Sequence, residues 1–133
     1  MATTAALTAS NNLLGMFTLG GDEGADAARE QLGSLLLEGE AIHFATGGDS
    51  GCALFTSHRI LIASDAGIFN KRSVVTILRR EAIDAVAIDH SDKLTVQCAG
   101  RGFGSLYLSF DGDIAPDKFA RWFGEAMVLN DSL

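Results

Sequence analysis

The sequence predicts a mainly β domain, a barrel or sandwich of seven short strands with one helix ahead of it and one behind. Three observations carry this. Apolar residues recur at helical spacing up to Leu37 and at strand spacing from Glu40 onward. Between Glu40 and Asp111, short β-rich runs alternate with turn residues at close intervals. The chain then closes on a stripe of bulky residues at helical spacing, Phe119, Trp122, Phe123, Ala126 and Met127.

Residues 1–22 are expected to form a flexible lead-in, rich in Ala, Thr, Ser, Asn and Gly. One apolar knot interrupts it, Leu13-Leu14-Gly15-Met16-Phe17. The knot reads as a tail docking on its own barrel or on a neighbouring subunit. A membrane-surface anchor would set Lys or Arg beside the apolar face, and none is there. The domain proper is expected over 23–133, starting with a helix over 23–37. In that helix Ala28, Leu32, Leu35 and Leu36 make one stripe. Asp22 or Glu23 suits its positive end, and Gly33 weakens its interior by up to ~1 kcal/mol.

The barrel is expected over 40–111. Its runs are Ala41–Ala45, Cys52–Thr56, Arg59–Ser64, Ser73–Leu78, Ile83–Asp89, a stretch around Leu94, Val96 and Cys98, and another around Leu106, Leu108 and Phe110. The last two alternate apolar and polar residues and form the clearest hairpin, each with one apolar face. A helix over 116–129 follows, with Pro116 at its first position, where a missing N–H costs nothing. Its Phe119, Trp122 and Phe123 need an apolar surface to cover, and the open end of a small barrel provides one.

At 133 residues, 47% hydrophobic and 20% charged, the chain can bury a core without staples. Two cysteines, Cys52 and Cys98, are too few for a disulfide framework and are expected to be reduced in a cytoplasmic setting. No run approaches the ~18 apolar residues of a membrane span. The net charge is −7, and residues 1–39 hold five acids against Arg29 alone. Nucleic acid, which is bound by basic groups that displace counterions, is thereby disfavoured as a partner.

Catalytic and metal patterns are missing from the sequence. His43, His58, His90, Cys52 and Cys98 lack metal-ligand spacing. Asp111, Asp113 and Asp117 hint at a calcium loop, but Trp122 stands where its twelfth-position Glu belongs. There is no Gly-x-Ser-x-Gly elbow, and Arg101-Gly102-Phe103-Gly104 reads as a hairpin turn. No catalytic residue, metal or cofactor is assigned, and no enzyme activity is expected.

Three stretches carry a resemblance. Leu35-Leu36-Leu37-Glu38-Gly39-Glu40 offers a leucine pair and a Gly-Glu ahead of the first strand. Phe55-Thr56-Ser57-His58-Arg59-Ile60-Leu61-Ile62 has Thr, two turn residues, then Arg and an aliphatic run. Gly67 follows five residues after Ile62. Together they resemble the bacterial pleckstrin-homology (PH)-like domain family, loosely from Leu13 to Met127. Where family members often carry Pro-Tyr, this chain has Arg79-Arg80. The resemblance implies a seven-stranded antiparallel PH-like barrel capped by the C-terminal helix, here with an extra N-terminal helix. It also implies ring-like homo-oligomers. Arg59, Gly67, Phe119, Trp122 and Phe123 are expected to be structural, Arg59 by pairing with an acid or carbonyl across the barrel.

Many PH domains bind phosphoinositides through basic residues of the first two strands. Here Glu40 to Thr56 contains no Lys or Arg, and multiply charged phosphates need charge-assisted donors. Lys71, Arg72, Arg79 and Arg80 are the remaining basic candidates for a ligand. The expected function is a non-catalytic module that self-associates and presents a protein-binding surface to a protein or peptide. A peripheral lipid module is the alternative, and a small-molecule binder or enzyme ranks last.

Overall fold

The structure is a computed structural model that describes residues 13–48, 51–65, 73–101 and 104–131. Alternation builds its first sheet. β7 (Leu94–Gly100) buries Leu94, Val96 and Cys98, and β8 (Ser105–Phe110) buries Leu106, Leu108 and Phe110. The two pair antiparallel with Val96 opposite Leu108. β6 (Ile83–Asp89) takes the other side of β7, Ile88 opposite Val96.

The apolar knot forms an eighth strand. β1 (Leu13–Leu19) runs parallel to β8, with Phe17 opposite Leu108 and Leu19 opposite Phe110. This corrects the lead-in expected over residues 1–22 for its part from Leu13 onward, residues 1–12 lying outside the described residues. Leu19 is buried and Phe17 packs on the core while Met16 points outward, the period-two pattern of a half-buried strand. Pairing also removes what would be an open edge on β8.

β2 (Ile42–Gly47), β3 (Gly51–Thr56), β4 (Arg59–Asp65) and β5 (Ser73–Arg79) form the second sheet, an antiparallel meander in chain order. β3 and the middle of β4 are buried on both faces, so they read as unbroken apolar runs. Their inner face, Ala53, Phe55, Ile60 and Ile62, belongs to the main core. Their outer face, Cys52, Leu54, Leu61 and Ala63, lies beneath Ala28 and Leu32 of α1 (Ala25–Leu32). The helix expected over 23–37 is shorter than its stripe suggests. It is flanked by 3-10 turns at Asp22–Gly24 and Gly33–Leu35, and Leu36 is already extended.

The described residues thus form two four-stranded sheets, eight strands in all, where a closed seven-stranded barrel was expected. All seven expected strands are present. No ladder joins the two sheets among the described residues: β5 passes to β6 through a 3-10 turn, Arg80–Ala82, and α2 (Pro116–Asp131) packs on that turn and on β6. Phe119, Trp122, Phe123 and Ala126 of α2 are buried. Phe119 meets Phe44 and Phe55 edge-on at 5.1 and 5.5 Å, and those two rings stack at 4.4 Å. Gly67, expected to be structural, lies outside the described residues.

Where β1, α1 and the β2–β3 corner converge, main chains touch directly. Gly47 donates to Gly21 O and accepts from Gly21 N–H, both at 3.1 Å. A Cβ on Gly47 would strike the main chain of Gly24. A Cβ on Gly124, exposed within α2, would meet nothing. Gly47→Ala is therefore expected to destabilise the fold by about 1–3 kcal/mol. Gly124→Ala should stabilise it by about 0.5–1 kcal/mol. Urea unfolding of the two variants beside the parent checks both signs.

Candidate functional site

The turn Thr56–Arg59 gathers the polar interior. The Thr56 hydroxyl accepts from the main-chain N–H groups of His58 and Arg59 and donates to Glu40 Oε2 at 2.6 Å. Arg59 grips Glu40 with both ends of its fork, Nε to Oε2 at 3.0 Å and Nη2 to Oε1 at 3.1 Å. Nη2 also donates to Leu35 O at 2.7 Å. Both the acid and the carbonyl that Arg59 was expected to find are therefore its partners. The Glu40 side chain is fully buried. Burial alone would raise its carboxyl, but hydrogen bonds from Arg59, the Leu37 N–H and Thr56, with the Arg59 charge, hold it down at about 2.

Arg80 and Arg79, adjacent in sequence, part company. Arg79 is exposed, while Arg80 is 5% exposed beneath α2. Arg80 donates to Trp122 O at 3.1 Å and Ser57 O at 3.3 Å, reaches Glu125 at 3.3 Å, and lies 4.9 Å from the Trp122 ring centre. The indole N–H of Trp122 donates to Thr56 O at 2.8 Å. Arg80 is thus committed inside the fold and is withdrawn as a ligand candidate. Lys71 and Arg72 lie outside the described residues.

The structure instead brings together basic residues that sequence reasoning passed over. A cleft of about 520 Å³ opens between the edge of β2 and α2. Trp122 and Phe44 line its inner wall, with Ala45 and His43 beside them on β2. His43 is the extra residue of a β-bulge between Ile42 and Phe44, the kind of irregularity that re-aims a side chain. From α2 come Lys118, Arg121 and Glu125, which with Trp122 fall at i, i+3, i+4 and i+7 on one face. Arg29 of α1 adds a third fixed cation. Glu125 is engaged by Arg80, Lys118 pairs with Asp22 at 2.9 Å, and Arg29 with Asp26 at 3.4 Å. Arg121 and His43 have no side-chain partner among the described residues. The helical spacing of Lys118 and Arg121 was visible in the sequence. Their placement opposite β2 was not.

No described group of three or more His, Cys, Asp or Glu could hold a metal ion. Burial pushes the Cys98 thiol up to about 12 and raises that of Cys52. No described helix is long and apolar enough to cross a membrane.

Glu40 titrates low in the folded chain, so the stability it contributes is complete above about pH 4.5 and drains away as the pH falls towards 2. Glu40→Ala is expected to cost about 3 kcal/mol at neutral pH by leaving Arg59 without its partner. It should also flatten the acid limb between pH 4.5 and 2. Denaturant melts at a series of pH values measure both effects.

Neither a protein-family model nor a curated protein matches the sequence. Solved structures do resemble it. A DUF1696-family protein with a pleckstrin-homology domain from Shewanella loihica PV-4 matches with a TM-score of 0.62 at 13% identity, over 77% of this chain and 92% of its own. A pleckstrin-homology domain from Shewanella amazonensis SB2B gives 0.59 at 14%, over 75% and 95%. A PH-domain-containing protein from Exiguobacterium sibiricum 255-15 gives 0.56 at 11%, over 87% and 62%. At such identities the likeness is one of architecture: the chain has a pleckstrin-homology-like fold.

Proposed function

We propose that this chain is a non-catalytic interaction module that self-associates and presents a surface to a protein partner. The observation that carries the reading is the outer rim of the second sheet. β5 is an edge strand, and its Val75 and Ile77 are 43% and 47% exposed. Register sets them opposite Ala63 and Leu61, so they prolong the apolar face that α1 covers further in. An edge strand carrying bare aliphatic side chains is a template for another chain. A second copy offers the same self-complementary strip.

Other features favour binding over chemistry. Among the described residues, aromatic and aliphatic side chains pack the space between the sheets. Thiols with raised pKa values are poor nucleophiles. Both cysteines are buried and free, which suits a reducing cytoplasm.

Light scattering behind a sizing column, over a range of concentrations, tests the reading. The parent is expected to run as a multimer. The double variant Val75→Lys, Ile77→Lys should run at the mass of one chain with an unchanged far-ultraviolet spectrum. A parent that is monomeric throughout would remove self-association.

A further inference from the structure

We infer that the cleft between β2 and α2 is a binding site for an acidic, extended peptide segment. The first ground is charge. In a chain of net charge −7, three fixed cations, Arg29, Lys118 and Arg121, line one cleft against a single lining acid, Glu125, which is half-exposed and also lies 3.3 Å from Arg80. Arg121 has no partner among the described residues, and the pairs made by Arg29 and Lys118 are exposed ones of little worth. A carboxylate brought into the cleft can take a bidentate hold on Arg121 and share the other two cations.

The second ground is the main chain of β2. Gly47 turns its N–H and C=O outward to Gly21. Alternation turns those of Ala45, two residues back and in regular register with β3, to the same side. Ala45 lines the cleft, and these groups find no partner among the described residues. Main-chain groups left unpaired at a nearly dry position are costly, so a ligand main chain that pairs with them gains from it. The residues from Gly20 to Gly21 make a single bridge on this edge before leaving as a 3-10 turn. An incoming strand continues the ladder they begin, in the manner of strand addition.

The third ground is length. Lys118 to Glu125 covers about 10 Å of helix, the reach of about three extended residues. A strand residue opposite Ala45 shares its face, the α1 side, where Arg29 stands. Its neighbours in the ligand turn to the other face, where α2 carries Lys118 and Arg121. Two consecutive acidic residues therefore meet cations on both sides, whereas a free anion meets one end only.

The inference rests on reading the chain as a binding module, and it is independent of self-association through β5, which is read by mass. The probe is a fluorescein-labelled hexapeptide, Val-Thr-Glu-Glu-Val-Thr, blocked at its C-terminus and titrated by anisotropy at 50 mM salt. Trp122, the one tryptophan of the chain, reports occupancy of the cleft by its emission. Binding is expected, at least tenfold weaker for Arg121→Glu and for a peptide with both glutamates changed to lysine. Arg121 is exposed and unpaired, so the variant should keep the parent's melting temperature and its mass. No binding to the parent, or equal binding to the Arg121→Glu variant, would overturn the site. Succinate or inorganic phosphate displacing the peptide at equal concentration would show a small-anion site and overturn the peptide reading.

Discussion

Everything in this molecule hangs from one turn. The four residues Thr56–Arg59 are bonded by three segments far from them in the chain. Arg59 and Thr56 hold Glu40 and, through it, the approach to β2. Arg80 anchors the passage between the sheets, its main-chain N–H donating to His58 O and its guanidinium to Ser57 O. Trp122 ties α2 to Thr56 O. A buried ion pair is no guarantee of net stability. Its value here is geometric, because a bidentate fork accepts one orientation only and several segments inherit it.

The cleft follows from that anchoring. Trp122 is fixed through its indole N–H and Arg80 through the Trp122 carbonyl, so the rotation of α2 about its own axis is set. With Trp122 turned inward, Arg121 and Lys118 must face the rim of β2. Arg80 also pairs with Glu125 at 3.3 Å and so competes with those cations for it. A charge placed for structural reasons thereby leaves the neighbouring surface more positive than composition suggests.

Alternation and turn residues made seven strands and both helices legible, since those signals depend on neighbours a few residues apart. The eighth strand was visible only as an apolar knot. Its partner is β8, and Thr18 lies 91 positions from Ser109, a distance no periodicity spans. Arg79 and Arg80 show a second limit. Side-chain chemistry is the same at both, and only the 3-10 turn decides that one faces water and the other supports a helix. The hairpin motif around Arg59 spoke more clearly, because a Thr that caps its own turn acts within four residues, although the partner of Arg59, Glu40, lies 19 positions away. The cleft was illegible for the reason β1 was: Phe44 and Arg121 meet through tertiary packing.

Parallel pairing of β1 with β8 also orders the birth of the molecule. β1 leaves the ribosome well before β8 and must wait for it, roughly 5–20 s at ordinary rates of synthesis. Meanwhile the β2–β5 meander, all short hairpins or near neighbours, has what it needs to assemble. Until β8 emerges, β1 has no strand to pair with. The order of emergence thus favours completing the second sheet before the first, whose outer strand joins segments far apart in the chain.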